Sequence, residues 1–400
     1  MKFLREVKKE KIKGKTCLLR LDLNIEKNEL KDSLRLERAA ESTRFLLKIG
    51  CRVVILSYKG QLDIGKVQRD KFYRRSYSLR PVTRELSRKL RQSIDFVDDL
   101  NPKNWERKVN QSKRRIVVLE NLRFYGEENK NSIPFAHLLA SLGDFYVNDA
   151  FSMSHRQQTS LCAITRFLPS YAGIGLEKEL VSLNHVLKNY KKPLVLVLGG
   201  AKVSDKAGVI ENLYPKTKHI LCGGGVANTF LFSQNIPVGN SLVDRKIASQ
   251  NIYNRFKNKI ILPSDVVIKS GAILDIGPKT TDEYSRLIKK AGTIVWGGPM
   301  GHFEDKKFAK GTFEIAKTIL KSKCFAVIGG GETTTAFRKV ARMDADQNAD
   351  KRRYISDNLR RNQRKSASVF LSTGGGAMLE YLAGRKLPAL QALDDSNMRM

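Results

Sequence analysis

Lys202 and Lys206 stand four residues apart, just after an apolar run that ends in Gly199-Gly200, in the stretch LVLVLGGAKVSDKAG (194–208). A strand, a glycine turn and a helix start would place both ammonium groups one turn apart on the same side. There they suit a phosphoryl group, which carries spread negative charge. Glu332 follows a triple glycine in VIGGGETT, where a carboxylate suits a divalent cation already held by phosphates. Glu304, in GGPMGHFED, is placed to accept from ribose hydroxyls. The chemistry implied is phosphate binding and transfer, although no segment matches the P-loop pattern.

A second group lies in the first half: Asp22 and Asn24 after an apolar run, Arg35 at a helix start, Arg123 in LENLRFYGEE, and Arg156 beyond NDAFSMSH. Guanidinium groups bind carboxylates and phosphates in a bidentate fashion, so this set suits a small anionic substrate. The histidines show no metal-ligand spacing, and the five cysteines stand singly, as buried free thiols of a reducing, cytoplasmic compartment would.

These residues need a scaffold. Short β-rich apolar runs alternate with helix-period segments along the chain, for example CRVVILS (51–57), RIVVLEN (115–121), TIVWGGP (293–299) and SVFLSTGGG (368–376). The pattern predicts an α/β protein with doubly wound parallel sheets, and about ten strands in 400 residues predict two such domains. Pro and Gly in FLPSYAGIGLEK (167–178) mark the boundary, so the domains are expected at 1–170 and 171–387, with 388–400 as a tail returning to the N-terminal one. Clusters at Gly199-Gly200, Gly223-Gly224-Gly225, Gly297-Gly298-Pro299, Gly329-Gly330-Gly331 and Gly374-Gly375-Gly376 each end a strand. In an open parallel sheet those ends share the ligand-binding edge.

No apolar run approaches the roughly 20 residues of a membrane helix, and the N-terminal MKFLREVKKEKIKG lacks a signal-peptide core. The formal charge of +33 attracts polyanions, so a nucleic-acid role is possible but not required. The polar, basic stretch 338–368 reads as a surface helix–loop insertion.

The chain resembles the phosphoglycerate kinase family over nearly its full length. The resemblance rests on RLDLN (20–24), LENLRFYGEE (119–128), GDFYVNDAFSMSHR (143–156), LGGAKVSDKAGVIENL (198–213), VWGGPMGHFE (295–304), VIGGGE (327–332) and STGGGAMLEYLAG (372–384). It implies two Rossmann-like domains joined by a hinge helix. It also implies a monomer of glycolysis that moves a phosphoryl group between 1,3-bisphosphoglycerate and ADP, giving 3-phosphoglycerate and ATP with Mg²⁺. The resemblance makes Arg35, Lys202 and Lys206 the charge-stabilising group. Asp22, Asn24, Arg35, Arg123 and Arg156 then hold the glycerate. Gly200, Gly223, Gly224, Gly298, Pro299, Gly331, Thr333, Gly375 and Gly376 line the nucleotide site with both lysines, with Glu304 at the ribose and Glu332 near the metal.

The sequence departs from the family at its S-H-L-G-R segment, which reads Ser57-Tyr58-Lys59-Gly60-Gln61. The missing His and Arg leave Tyr58, Lys59 and Gln61 at the glycerate side, with Lys59 or the basic loop after it to replace the lost cation. Gln158, Gly297 and Glu332 stand where the family has His, Asn and Asp. A weakly active or inactive homologue that binds nucleotide, with a polyanion-binding role, is the alternative.

Overall fold

The computed structural model describes residues 1–248, 252–346 and 368–398. Contacts divide the chain into two compact units, Met1–Leu180 with Lys386–Met400, and Val181–Arg385. The helix Ile174–Lys188 carries the chain from the first unit into the second. The basic insertion falls largely outside the described residues, of which only its first part, to Asp346, continues a helix.

In the first unit, β1 (Thr16–Arg20), β2 (Arg52–Leu56), β3 (Asp95–Val97), β4 (Ile116–Leu119), β5 (Phe145–Asn148) and β6 (Ser170–Ala172) form one sheet in the order β3-β4-β2-β1-β5-β6. Every pairing is parallel. The strands are almost wholly buried, which explains their unbroken apolar sequences. Residues of β1, β2, β4 and β5 pack against the helices Leu34–Ile49 and Arg80–Leu90 in one core. The helix Pro388–Met398 packs on this unit, with the Ala389 N–H donating to Ser154 O at 3.1 Å and Thr165 Oγ1 to Ala392 O at 3.1 Å.

In the second unit, β7 (Leu194–Leu198), β8 (Thr217–Cys222), β9 (Ile260–Ile261), β12 (Thr293–Gly297), β13 (Phe325–Gly329) and β14 (Ser368–Leu371) form a parallel sheet in the order β14-β13-β12-β7-β8-β9. Between β9 and β12 the chain makes an antiparallel pair, β10 (Val266–Lys269) and β11 (Ala272–Ile276). Both sheets are parallel, as expected, and the helices Leu34–Ile49 and Ile174–Lys188 lie on segments of helical apolar period. The apolar run KIILPSDVV (259–267) divides between β9 and the first strand of the pair, because Pro263 and Ser264 turn the chain between them.

Strand order fixes where ligands bind. β1 has β2 on one side and β5 on the other, and β7 has β8 on one side and β12 on the other. The connections therefore leave in opposite directions after β1 and β5, and after β7 and β12, which opens a crevice at the carboxyl ends of those strands. The first pair of strands leads into Asp22 and Asp149, the second into Gly199 and Gly298.

Candidate active site

In the second unit the crevice is a cleft of about 560 Å³. Its wall includes Gly200, Gly298, Pro299, Gly331, Thr333, Gly375 and Gly376, all expected from the sequence. The loops after β7 and β12 touch so closely that side chains have no room. A Cβ on Gly199 would lie 2.0 Å from Pro299 O, and one on Gly298 would lie 2.2 Å from Gly199 O. Gly200 and Gly298 also hold φ of +76° and +91°, where an L side chain is strained. The Thr333 hydroxyl accepts from the Gly298 N–H at 3.0 Å and ties the β13 loop to the β12 loop.

Gly223 and Gly224 stand behind this wall, at the start of the helix Gly224–Phe232, and are absent from the lining. Gly223 packs on Met300, where a Cβ would meet Sδ at 2.8 Å, and the Gly224 N–H donates to Met300 O at 2.7 Å. They support the Pro299 loop. Of the two lysines, Lys206 is buried at 7% exposure and lines the cleft, and its Nζ donates to Lys202 O at 3.0 Å. Burial pulls its pKa down, while Asp205 and Glu332 oppose the shift. Lys202 is exposed and lies outside the lining, just before the helix Ser204–Leu213.

Glu332 begins the helix Gly331–Asp346, where helix polarity favours a carboxylate. Burial raises its pKa, and the neighbouring Glu304 carboxyl raises it further, while Lys206 and His302 oppose the shift. His302 Nε2 lies 3.6 Å from Glu304 Oε2. Two carboxylates forced together await a cation, and a magnesium ion suits them because it takes one or two carboxylates and completes its shell with phosphate oxygens and water. No cluster of three or more ligating side chains exists among the described residues.

In the first unit, Asp22 Oδ1 accepts from the Asn24 N–H at 3.0 Å, and Oδ2 accepts from Ser152 Oγ and pairs with Arg35 Nε at 3.1 Å. Arg35 Nη1 donates to Asn24 O at 2.5 Å. The Asp22 charge raises the Arg35 pKa further, and a third of the arginine side chain stays open to solvent. The Asn24 side chain accepts from the Gly60 N–H at 2.9 Å and so ties this loop to the segment after β2.

Tyr58 shows how the segment tolerates its departure. The ring is buried at 4% exposure and lies under two guanidiniums, with Arg123 Cζ 4.1 Å and Arg20 Cζ 5.2 Å from its centroid. Arg123 donates to Gly60 O, and its buried Nε finds no partner among the described residues. Burial lowers the Arg123 pKa, and the neighbouring charges of Arg156 and Arg20 add to the effect. The Asn148 side-chain amide, at the end of β5, is likewise buried with no acceptor. Unsatisfied buried donors at a crevice mark a place built for an anion. Lys59 is half-buried, with its backbone held by the Asn121 amide at 3.1 and 2.8 Å, while Gln61 and Arg156 are exposed.

Sequence reasoning left Arg20 and Glu128 without roles. Both are fully buried, 4.0 Å apart, and Ser160 bridges them by accepting from Arg20 Nε at 2.8 Å and donating to Glu128 Oε1 at 2.6 Å. An arginine inside the apolar strand TCLLR was the available signal. The basic residues Lys71, Arg74 and Arg75 line another cavity, with Arg84 and Glu120.

Comparison with known proteins agrees with this geometry. The phosphoglycerate kinase family model matches residues 7–385. The chain belongs to the phosphoglycerate kinase family. It is 36% identical to the phosphoglycerate kinase of Leptospira biflexa over 97% of both chains, and 37% identical to that of Clostridium botulinum over 96% of this chain and 97% of the other. The phosphoglycerate kinase structure from Pyrococcus horikoshii superposes with a TM-score of 0.82 at 30% identity, covering 100% of both chains. The structure from Coxiella burnetii gives 0.75 at 31% identity, covering 98% of both. The two parallel sheets are thus those of phosphoglycerate kinase structures.

Proposed function

We propose that this chain transfers a phosphoryl group reversibly between 1,3-bisphosphoglycerate and ADP, giving 3-phosphoglycerate and ATP, as a cytoplasmic monomer of glycolysis. The first unit takes the glycerate and the second the Mg²⁺-nucleotide. The observations that carry the reading are, in the second unit, a glycine-walled cleft lined by the buried Lys206 and by Glu332 and, in the first unit, a crevice holding Arg35 and Arg123. No helix among the described residues is long and apolar enough to cross a membrane.

Lys206, poorly solvated and without a carboxylate partner, has its charge available to the transferring phosphoryl group, and Lys202 joins it from the exposed side of the same turn. A low-dielectric setting makes that charge worth more than it would be in water. Arg35, fixed by Asp22, faces the reacting end of the glycerate, and Arg123, Arg156 and Asn24 hold its anionic groups. Tyr58 orients Arg123, and Lys59 replaces the lost cation while exposed Gln61 adds a polar rim. The glycine wall admits the nucleotide close to backbone N–H groups, with Glu304 at the ribose and Glu332 toward the metal. Bound Mg²⁺ would neutralise phosphate charge during transfer. Steady-state turnover with ATP and 3-phosphoglycerate tests the reading. A rate dependent on both substrates and on Mg²⁺ supports it; nucleotide binding with no turnover would leave the inactive-homologue alternative in its place.

A further inference from the structure

The first unit carries a second charged cavity, of about 550 Å³, outside the residues assigned to phosphoryl transfer. Its cations come from two helices, Lys71–Ser76 and Arg80–Leu90. Lys71, Arg74 and Arg75 stand on the first, and Arg80 and Arg84 on the second.

The carboxylates that line it are already committed. Asp98 pairs with Arg80 at 2.5 Å. Glu120 accepts from Ser78 Oγ at 2.6 Å and from the backbone N–H groups of Leu79 and Asn121 at 2.8 Å. Arg74 is spent on the carbonyls of Val67 and Gln68, at 2.5 and 3.2 Å, which closes the helix before it. Lys71, Arg75 and Arg84 retain no partner among the described residues, so three cations face one cavity uncompensated.

Next to Lys71 on the first of these helices, Phe72 is 80% exposed. It stands three residues before Arg75, on the same helical face. A ring this open leaves a face free for a flat partner to stack on. Phe72 lies outside the cavity lining, so an occupant that met both the cations and the ring would have to extend beyond the cavity. A compact anion would not reach; a chain with repeating phosphates and flat rings would.

We propose that this cavity and Phe72 form a site for single-stranded nucleic acid, with backbone phosphates on Lys71, Arg75 and Arg84 and a base stacked on Phe72. The formal charge of +33 steers such a polyanion toward the surface, and this cavity gives it a defined landing place. RNA and DNA share the chemistry invoked, and the test separates them.

The test is fluorescence anisotropy of end-labelled uridine and thymidine 20-mers with the full chain, between 50 and 200 mM KCl. Three phosphate contacts on a single strand give a slope of log affinity against log salt of about −2, or an affinity loss of about twentyfold across that range. The double variant Arg75→Gln/Arg84→Gln should bring the slope to about −0.7. Phe72→Ala should weaken binding about tenfold without changing the slope. Far-UV circular dichroism and thermal unfolding should stay unchanged in both variants, which certifies that they fold. A preference for the uridine strand identifies RNA as the occupant, and equal binding identifies single strands in general. The proposal is overturned if neither strand binds at 50 mM, or if the variants bind as the unaltered chain does. It is also overturned if inorganic polyphosphate binds equally well with no effect of Phe72→Ala, or if deleting 347–367 alone abolishes binding.

Discussion

Replacing Lys206 by methionine should damage activity and strengthen the fold at once. The ammonium is 7% exposed, donates to one carbonyl at 3.0 Å, and makes no ion pair among the described residues. A charge so placed is poorly compensated, and replacing it by an apolar side chain of similar length should stabilise the second unit by about 1 kcal/mol. For a unit of this size that is about 3 °C in Tm. The same charge, if aimed at the transferring phosphoryl group, contributes to the transition state, and losing one such group costs about 10²–10³ in kcat. Glycine walls and Glu304 remain, so the KM for nucleotide should move less than threefold, taken as about 0.6 kcal/mol. Calorimetry in the absence of substrate measures the first effect, and a coupled assay of ATP-dependent 3-phosphoglycerate phosphorylation measures the second. A lower Tm would show that Lys206 is structurally compensated. A kcat within tenfold of the unaltered chain would remove it from the chemistry.

Tyr58→Leu should raise the KM for 3-phosphoglycerate about fivefold to thirtyfold through loss of the ring under Arg123, with kcat less affected, and Tyr58→Phe should restore it. Glu332→Gln should raise the Mg²⁺ concentration for half-maximal velocity about tenfold, measured by magnesium titration, while metal-free ADP binds as before. Asp149 is buried, accepts from Ser42 and from the Leu176 N–H at 2.8 Å, and burial lifts its pKa from 3.8 to about 6. A raised carboxyl pKa means the folded state holds the proton more tightly than the unfolded one. Its contribution to stability is therefore complete below pH 3.8 and is lost as pH rises through about 6, by about 3 kcal/mol in all. Asp149→Asn should remove that dependence, so denaturant titrations should show the variant gaining on the parent chain between pH 4 and 7. A parallel pair of pH profiles would count against the assignment.

The central strands were legible because both faces are covered, which leaves runs such as LVLVL with no polar interruption. β3 and β6 were not, being three-residue edge strands too short to show a pattern. The pair β10–β11 escaped for a different reason: β10 is half-buried or exposed throughout and β11 buries only Asp275 and Ile276, so burial placed no period-2 pattern on them. At the site, glycine positions forced by close backbone approach were readable, as at Gly199 and Gly298. What could not be read was the depth of each charge. Lys202 and Lys206 look alike in sequence, yet only the second is buried; Glu128 looks like a surface residue in GEEN, yet it is buried against Arg20. Tyr58 is a similar case, since only the fold reveals that it packs beneath two arginines.

The first unit is discontinuous, and this has a consequence for biosynthesis. Residues 181–385 form a contiguous unit, whereas the first unit draws on 386–400 as well as 1–180. On the ribosome, the later-made half can therefore finish folding while the earlier-made half still waits for its closing helix, whose Ala389 and Ala392 contact Ser154 and Thr165. A stalled or truncated translation product would thus hold a mature second unit attached to an unfinished first one, with the small cluster of Tyr58, Met153 and Leu161 left uncovered where Ala389 should sit. Such a product would offer quality-control proteases an entry point in the half that was synthesised first.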